Sequence, residues 1–340
     1  MRIGIICPSE IAFRRFLPAL KEADCFEFAG VAVASKEEFL GATDEILAKE
    51  RQKAQPFIDG YGGKVFEGYQ SLIDSNEVDA VYLPLPPGLH YLWAKRALLA
   101  GKHILVEKPC TTSLKNTDDL LSFAREKGLA VHENYMFVFH DQIEGINEVI
   151  RSGEIGEVRL YRIAFGFPMR AKNDFRYNKE LGGGALLDCG GYTLKFASLL
   201  LGPSASLKYA VSNPLNGFQV DMYGSAALVN EDGVTAQVAF GMDQNYKCEL
   251  EVWGSRGTLY TNRVLTAPAG FVPEVTIRKG NEEERRSLPA DDAFKKSILH
   301  FRACIEDAET RGENYVTLSR QANLVEEFKR LSIFNKILYA

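Results

Sequence analysis

The 340-residue chain reads as an α/β protein with two domains. The first is a Rossmann-type domain with a parallel sheet; the second is an α+β domain with a large, mostly antiparallel open sheet. Two patterns predict this. Over the first third, short apolar runs alternate with amphipathic stretches, as βαβ units require. After Gly153, strand-like runs follow one another with little helix between them, and such strands pair antiparallel. The length also exceeds the roughly 250–300 residues at which a single core tends to divide.

Residues 2–7 form the first apolar run, and 11–23 carry Ile11, Phe16, Leu17 and Leu20 at helical spacing. A second strand is predicted at 26–33, a charged helix at 36–54 and a buried strand at 78–83. Helix 89–100 stops at Gly101, strand 103–106 follows, helix 114–127 stops at Gly128, and strand 129–134 completes the series. Further strands are predicted at 157–166, 206–212, 218–229, 233–241, 247–253 and 257–260, with one helix at 185–201. Helices at 291–309 and 317–337 close the chain. The domains are set at 1–125 and 126–340, with the last helix expected to pack back on the first. So large an open sheet needs covering, so a homodimer or homotetramer through it is expected.

Composition narrows the function classes. A net charge of -5 without long single-sign runs argues against nucleic acid or an anionic membrane as partner. The six cysteines contain no C-x-x-C pair, so neither a zinc knuckle nor a disulfide framework is indicated. His132-Glu133 starts like H-E-x-x-H, but Met136 stands at the last position, so no metal site is read. The apolar run Ile3-Gly4-Ile5-Ile6 is too short for a signal peptide, and no stretch approaches the ~18 residues of a membrane helix. A cytoplasmic protein is expected.

A dinucleotide cradle after the first strand normally reads G-x-G-x-x-G or G-x-G-x-x-A. Here the stretch is Cys7-Pro8-Ser9-Glu10-Ile11-Ala12, and only Ala12 fits. Cys7 does not take positive φ cheaply, so a turn of different shape is expected. Ser9 suits a helix cap. Glu10 opposes a phosphate, and Arg14 and Arg15 offset it. Pro8, Ser9, Glu10 and Ile11 are the candidate cofactor contacts. The second strand ends Ala34-Ser35-Lys36, without the acid that grips a ribose 2′-hydroxyl. Ser35 and Lys36 suit a 2′-phosphate, which favours NADP(H) over NAD(H); the other reading is Ser35 as an N-cap with Lys36 solvated.

Strand 103–106 runs into Glu107-Lys108-Pro109. A lysine there lies where open α/β sheets bind ligands, and its ammonium can polarise a carbonyl or shift a neighbour's pKa. Alone, the tripeptide also fits a surface turn. It stands, however, beside Val81-Tyr82-Leu83-Pro84-Leu85-Pro86-Pro87-Gly88-Leu89-His90 and Ala100-Gly101-Lys102-His103-Ile104-Leu105-Val106. Phe139-His140-Asp141-Gln142, Gly153 to Val158, Asp174-Phe175-Arg176, Gly182 to Asp188 and Gly254 to Leu259 follow in order. Together these blocks resemble the glucose–fructose oxidoreductase, inositol dehydrogenase and MocA (Gfo/Idh/MocA) family. The branch most similar holds dihydrodiol and pentose dehydrogenases and glucose–fructose oxidoreductase. The resemblance implies a nicotinamide cofactor, sugar, inositol or diol chemistry, and Leu83, Pro84, Leu85, His90, Glu107 and Lys108 among the cofactor contacts.

Asp188 and Tyr192 stand four apart on one helix, hence on one face. Many family members have aspartate and histidine there; the similar branch has tyrosine. A tyrosine hydroxyl exchanging a proton with a substrate alcohol needs a pKa well below ~10, and a cation such as Lys108 supplies that shift. Lys108, Tyr192 and Asp188 are therefore the candidate catalytic residues. Asn134, Tyr135 and Arg176 are the candidate substrate contacts, with core packing for Tyr135 and a surface ion pair for Arg176 as alternatives. The expected activity is hydride transfer interconverting a secondary alcohol and a ketone on a sugar, sugar derivative or polyol. The competing reading is a non-catalytic nucleotide- or sugar-sensing protein of the same fold, kept open by the missing loop glycines.

Overall fold

The computed structural model describes residues 1–39 and 42–338, with side chains described through Ser332. Its first unit comprises Met1–Asn134 and Phe294–Ser319. In chain order it contains β1 (Arg2–Ile6), α1 (Leu17–Ala23), β2 (Glu27–Val33), α2 (Asp44–Tyr61), β3 (Lys64–Glu67) and α3 (Tyr69–Ile73). Then come β4 (Ala80–Leu83), α4 (Pro87–Leu99), β5 (His103–Val106), α5 (Leu114–Lys127) and β6 (Val131–Glu133). All strands are parallel, in the order β3-β2-β1-β4-β5-β6. This is the doubly wound arrangement, whose ligand crevice opens where the order reverses, at the carboxyl ends of β1 and β4.

Local chemistry explains the helix limits. Ser113 caps α5 by accepting the Asn116 N–H, and Gly128 ends it in the left-handed region at φ 68°. Thr43 caps α2 by accepting the Ile46 N–H. The helix expected at 36–54 is thus displaced: Lys36 and its neighbours form a turn, and Ser35 is no N-cap. Leu40 and Gly41, inside that expected helix, lie outside the described residues. The sequence boundary at 125 also moves, because β6 pairs with β5 and carries the first unit to Asn134.

The second unit comprises Tyr135–Ala293 and residues from Arg320 onward. It opens with α6 (Asp141–Arg151), β7 (Val158–Gly166) and α7 (Gly191–Leu201). Next are β8 (Ser206–Asn213), β9 (Tyr223–Val229), β10 (Thr235–Gly241), β11 (Lys247–Gly254), β12 (Thr258–Asn262), β13 (Glu274–Lys279) and β14 (Glu282–Ser287). The eight-stranded sheet runs β14-β13-β12-β11-β7-β10-β9-β8; β7 and β10 are parallel and every other neighbouring pair is antiparallel. Tyr161, Ile163 and Phe165 of β7, Val238 and Phe240 of β10, and Leu250 and Val252 of β11 face inward. Against them pack Leu194, Phe196 and Ala197 of α7. Each such large side chain contributes about 1.5–3 kcal/mol on burial.

Two helices finish the chain, α8 (Ala293–Glu306) and α9 (Ala308–Leu338). Residues 294–319 belong to the first unit, and Leu324, Val325 and Phe328 join the core of the second. Among the described residues, no helix is long and apolar enough to cross a membrane.

Candidate active site

In the first unit, the chain leaves β1 through Cys7 at φ 79°, the conformation glycine usually supplies. The expectation of a differently shaped turn is overturned. The Cys7 N–H donates to Ala32 O (3.1 Å), and the Ser9 hydroxyl accepts the Ala12 N–H (3.2 Å). Pro8 and Ala12 are buried, while Glu10 and Ile11 are exposed. Glu10 is paired with Arg14 at 2.6 Å, so its charge is balanced locally. The chain is helical from Glu10, passing through a π-turn at Ala12–Phe16 into α1, so first-turn N–H groups and a small serine stand here, a setting that suits a pyrophosphate.

After β2, the Ser35 hydroxyl donates to Glu37 (2.9 Å), and Lys36 pairs with Asp44 (3.2 Å). Glu38 accepts N–H groups from Ser35, Tyr69 and Gln70 at 2.7–2.9 Å, which ties this turn to the start of α3. Leu83, Pro84 and Leu85 are buried at the end of β4.

Lys108 is half-buried at the carboxyl end of β5, and its peptide bond to Pro109 is cis. Two buried groups fix this loop. His90 approaches Pro109 O (2.8 Å) with one ring nitrogen and Leu85 O (2.7 Å) with the other. Burial pushes its imidazole below the ordinary histidine value, against the opposing pull of those carbonyls. His90 therefore joins two loops; it is fully buried and presents no edge to a ligand. Glu107 is also buried, accepting from Tyr82 and Asn134 at 2.7 Å each. Burial pushes its carboxyl upward, opposed by those donors and by the Lys108 charge. Asn134 was expected to touch substrate. Its amide instead gives one end to Glu107 and takes the Ser297 hydroxyl (2.8 Å) on the other, with 1% exposure.

In the second unit, Gly183 and Gly184 lead into the helix that carries the other candidates. A Cβ on Gly184, at φ 119°, would stand 2.3 Å from the Asp221 carboxylate, which accepts the Leu186 N–H (2.7 Å). The helix then widens into a π-turn over Leu186–Gly190 before α7. Asp188 lies in this turn and accepts from Arg176 Nε at 2.7 Å; Asp174 takes the other side of the guanidinium at 3.1 Å. Arg176 is 20% exposed, Asp174 18% and Asp188 12%, so this is a largely enclosed triad and not a surface pair. Burial opposes the guanidinium charge, and the two aspartates more than compensate, raising its pKa.

Tyr192 is 6% exposed. Its ring meets Tyr135 edge-on at 5.0 Å and lies beside Phe165 and Phe137, while its hydroxyl reaches Met136 Sδ at 4.0 Å. Tyr135 belongs to this core: a Cβ on Gly191 would be 2.2 Å from its hydroxyl, so only glycine lets α7 pass so closely. Gln321 closes the group by donating to Gly191 O (2.9 Å). Sequence reading missed Met136, Asp174 as a partner of Arg176, and Asp221. Asp174 was within a quoted motif; Asp221 lies far along the chain and gave no local signal.

Comparison with known proteins agrees with this architecture. A model of an oxidoreductase family, NAD-binding Rossmann fold, matches residues 1–135, and one of a GFO/IDH/MocA C-terminal domain matches 143–260. The chain is similar to dTDP-3,4-didehydro-2,6-dideoxy-alpha-D-glucose 3-reductases. That of Actinomadura kijaniata is 39% identical over 96% of this chain and 94% of the relative. That of Streptomyces violaceoruber is 37% identical over 99% and 97%. A crystal structure of a 3-ketoreductase from Actinomadura kijaniata with NADP and TDP-benzene superposes with TM-score 0.89, 38% identity and 97% coverage of both chains.

Proposed function

The chain belongs to the Gfo/Idh/MocA family of NAD(P)-dependent oxidoreductases that interconvert alcohols and ketones on sugars, and we propose that it reduces a keto group on a dTDP-linked deoxysugar. NADP(H) is the proposed cofactor. Ser35 and Lys36 suit a 2′-phosphate, and the similar 3-ketoreductase is described in complex with NADP. The observation that carries the reading is Lys108, half-buried at the carboxyl end of β5 in a loop fixed by Glu107 and His90.

When bound, the nicotinamide supplies the hydride. The Cys7–Ala12 loop holds the pyrophosphate. The Lys108 ammonium polarises the keto oxygen and stabilises the negative charge that develops on it. The Tyr192 hydroxyl gives that oxygen its proton, and its aromatic surroundings hold the ring in place and exclude water. Asp188, anchored by Arg176, orients a sugar hydroxyl. Asn134 and Tyr135 act from behind, as supports.

The test is turnover of NADPH with dTDP-3,4-didehydro-2,6-dideoxy-α-D-glucose, followed by loss of nicotinamide absorbance, in parallel with fluorescence titration of NADPH and NADH. Lys108→Met should retain NADPH affinity and lose turnover by at least about 10²-fold. Full turnover in that variant refutes the role of Lys108; failure of both cofactors to bind refutes the function.

We also propose a cytoplasmic homo-oligomer. All six cysteines are free thiols, as expected in a reducing compartment. The outer face of the eight-stranded sheet exposes Tyr209, Tyr260 and Trp253 among Arg162, Gln237 and Glu251. A second copy covers this face. Sedimentation should show a dimer or tetramer that Tyr260→Glu dissociates; a monomeric wild type refutes it.

A further inference from the structure

We propose that His132 is a buried imidazolium that balances the Glu107 carboxylate across a hydrogen-bonded bridge and so keeps Glu107 ionised beside Lys108. This makes His132 a positioning residue, and its effect on the reaction rests on the role given above to Lys108.

The Asn314 amide donates to Val131 O at 2.6 Å, and a carbonyl only accepts, so the amide oxygen must face His132 Nδ1, 3.2 Å away. That oxygen also only accepts. Nδ1 therefore carries hydrogen.

The far end follows from an ionised Glu107. One oxygen of Glu107 accepts from Tyr82 and from the Asn134 amide nitrogen, which turns the Asn134 oxygen toward Ser297. The Ser297 hydroxyl donates to it at 2.8 Å and has no second hydrogen to give. It must accept from His132 Nε2, 2.9 Å away, so Nε2 carries hydrogen too. With Glu107 ionised, these contacts are all satisfied only when both ring nitrogens are protonated and His132 is a cation.

The chain has one other self-consistent state. A neutral Glu107 would donate to Asn134, the amide would reverse, Ser297 would turn its hydroxyl to His132, and the ring would be neutral. Both states hold the same number of protons; they differ in which end carries charge. Burial favours the neutral state, whereas two donors and the Lys108 charge on Glu107 favour the ionised one.

The surroundings of His132 are compatible with a cation. His300, at 5.2 Å between ring centroids, is itself held below the ordinary histidine value by burial, opposed by a hydrogen bond with Asn314 and the Glu313 charge. Phe301 stacks on His132 at 6.2 Å, and the adjacent Glu133 carboxylate accepts the Cys110 N–H. His90 is the contrast. It too faces two acceptors, but both are backbone carbonyls, no carboxylate ends the chain to balance a charge there, and burial pushes its pKa below the ordinary histidine value.

The experiment is nitrogen NMR of ¹⁵N-histidine-labelled full-length protein, with the His90 signals as internal reference. In the wild type at about pH 8, well above the ordinary value of ~6.5, both His132 nitrogens should be protonated. In Glu107→Gln one should be bare. A bare His132 nitrogen in the wild type at that pH, or a cationic ring in Glu107→Gln, overturns the proposal.

Ser297→Ala supplies the second readout by cutting the bridge. The alkaline limb of its kcat/KM profile should move down by about one pH unit while NADPH affinity holds, because Lys108 loses its anionic neighbour. A limb that stays in place overturns the coupling. If no variant or wild type turns over substrate at all, the role of Lys108 fails, yet the NMR result still decides the charge of His132.

Discussion

Replacing Arg176 by leucine would leave Asp174 and Asp188 close together without the cation they share. The guanidinium holds Asp188 at 2.7 Å and Asp174 at 3.1 Å, and none of the three side chains is more than a fifth exposed. Removing one partner of a fully buried ion pair costs about 3–5 kcal/mol, whereas an exposed pair contributes ~0–1. The triad is between these limits, so a loss of about 2 kcal/mol is expected. For a unit of this size, that corresponds to a fall of roughly 4–8 °C in Tm. Arg176→Lys should recover only part of it, since an ammonium lacks the planar fork that grips two carboxylates. Because Asp188 orients substrate in this reading, kcat/KM should drop at least ~10-fold, with NADPH affinity unchanged. Urea unfolding and steady-state kinetics measure the two effects. A loss below about 0.5 kcal/mol with unaltered kcat/KM would refute the reasoning.

His103 predicts an acid sensitivity in the first unit. Its Nδ1 accepts the Ala130 N–H at 3.0 Å and must be bare to do so; burial, and then the Arg311 charge, push its pKa down to about 4. In the unfolded chain the value is ~6.5, so the unfolded state binds more protons between the two. The stabilisation is complete above ~6.5 and is lost as pH falls to about 4. Discounted for partial exposure, it amounts to about 2 kcal/mol. His103→Gln should flatten that slope in urea titrations; an unchanged slope excludes His103 as its source. Glu37 predicts a change in cofactor choice. It occupies the Ser35 hydroxyl at 2.9 Å, so Glu37→Gln should tighten NADPH on the order of 5-fold and leave NADH alone. Equal changes for both cofactors would place Glu37 away from the 2′-phosphate.

The parts of this fold legible in the sequence were those where local preference and burial agree. Strand 103–106 and helix 114–127 were read at their observed limits, because both are bounded by turn residues and carry strong patterns. The helix expected at 36–54 begins only at Asp44, because Glu38 is used by a distant partner, the start of α3, which holds its turn out of helical form. α6 went unread although Ile143, Ile146, Val149 and Ile150 mark its face; it lies between the last strand read in the first unit and the strand run expected after Gly153. β14 offered no apolar signal. Its Glu-Glu-Glu-Arg-Arg-Ser sequence is that of a charged edge strand, held by ion pairs such as Arg286–Glu154. At the site, Lys108 and Tyr192 were visible as residue types in motifs, whereas their supports were not. Asp221, Ser297 and Asn314 act across 35 to 183 positions of chain, and no local pattern encodes such contacts.

The first loop shows what a glycine motif does and does not specify. A glycine after β1 provides two things, a backbone at positive φ and a small footprint. Cys7 takes φ 79° regardless, at a cost of about 1–3 kcal/mol for a residue with a Cβ. That cost is offset by packing of the thiol against the apolar core of the first unit and by the Cys7 N–H bond to Ala32. Burial also pushes the thiol up to about 11, so it remains protonated and unreactive. Ser9 replaces the second glycine with a side chain folded onto the Ala12 N–H, where it caps the helix. Ala12, with no exposed surface, meets the packing demand of the third position. The three roles of the motif are thus filled by three different residues, and a loop scored as degenerate by its glycines retains the backbone course of a phosphate cradle.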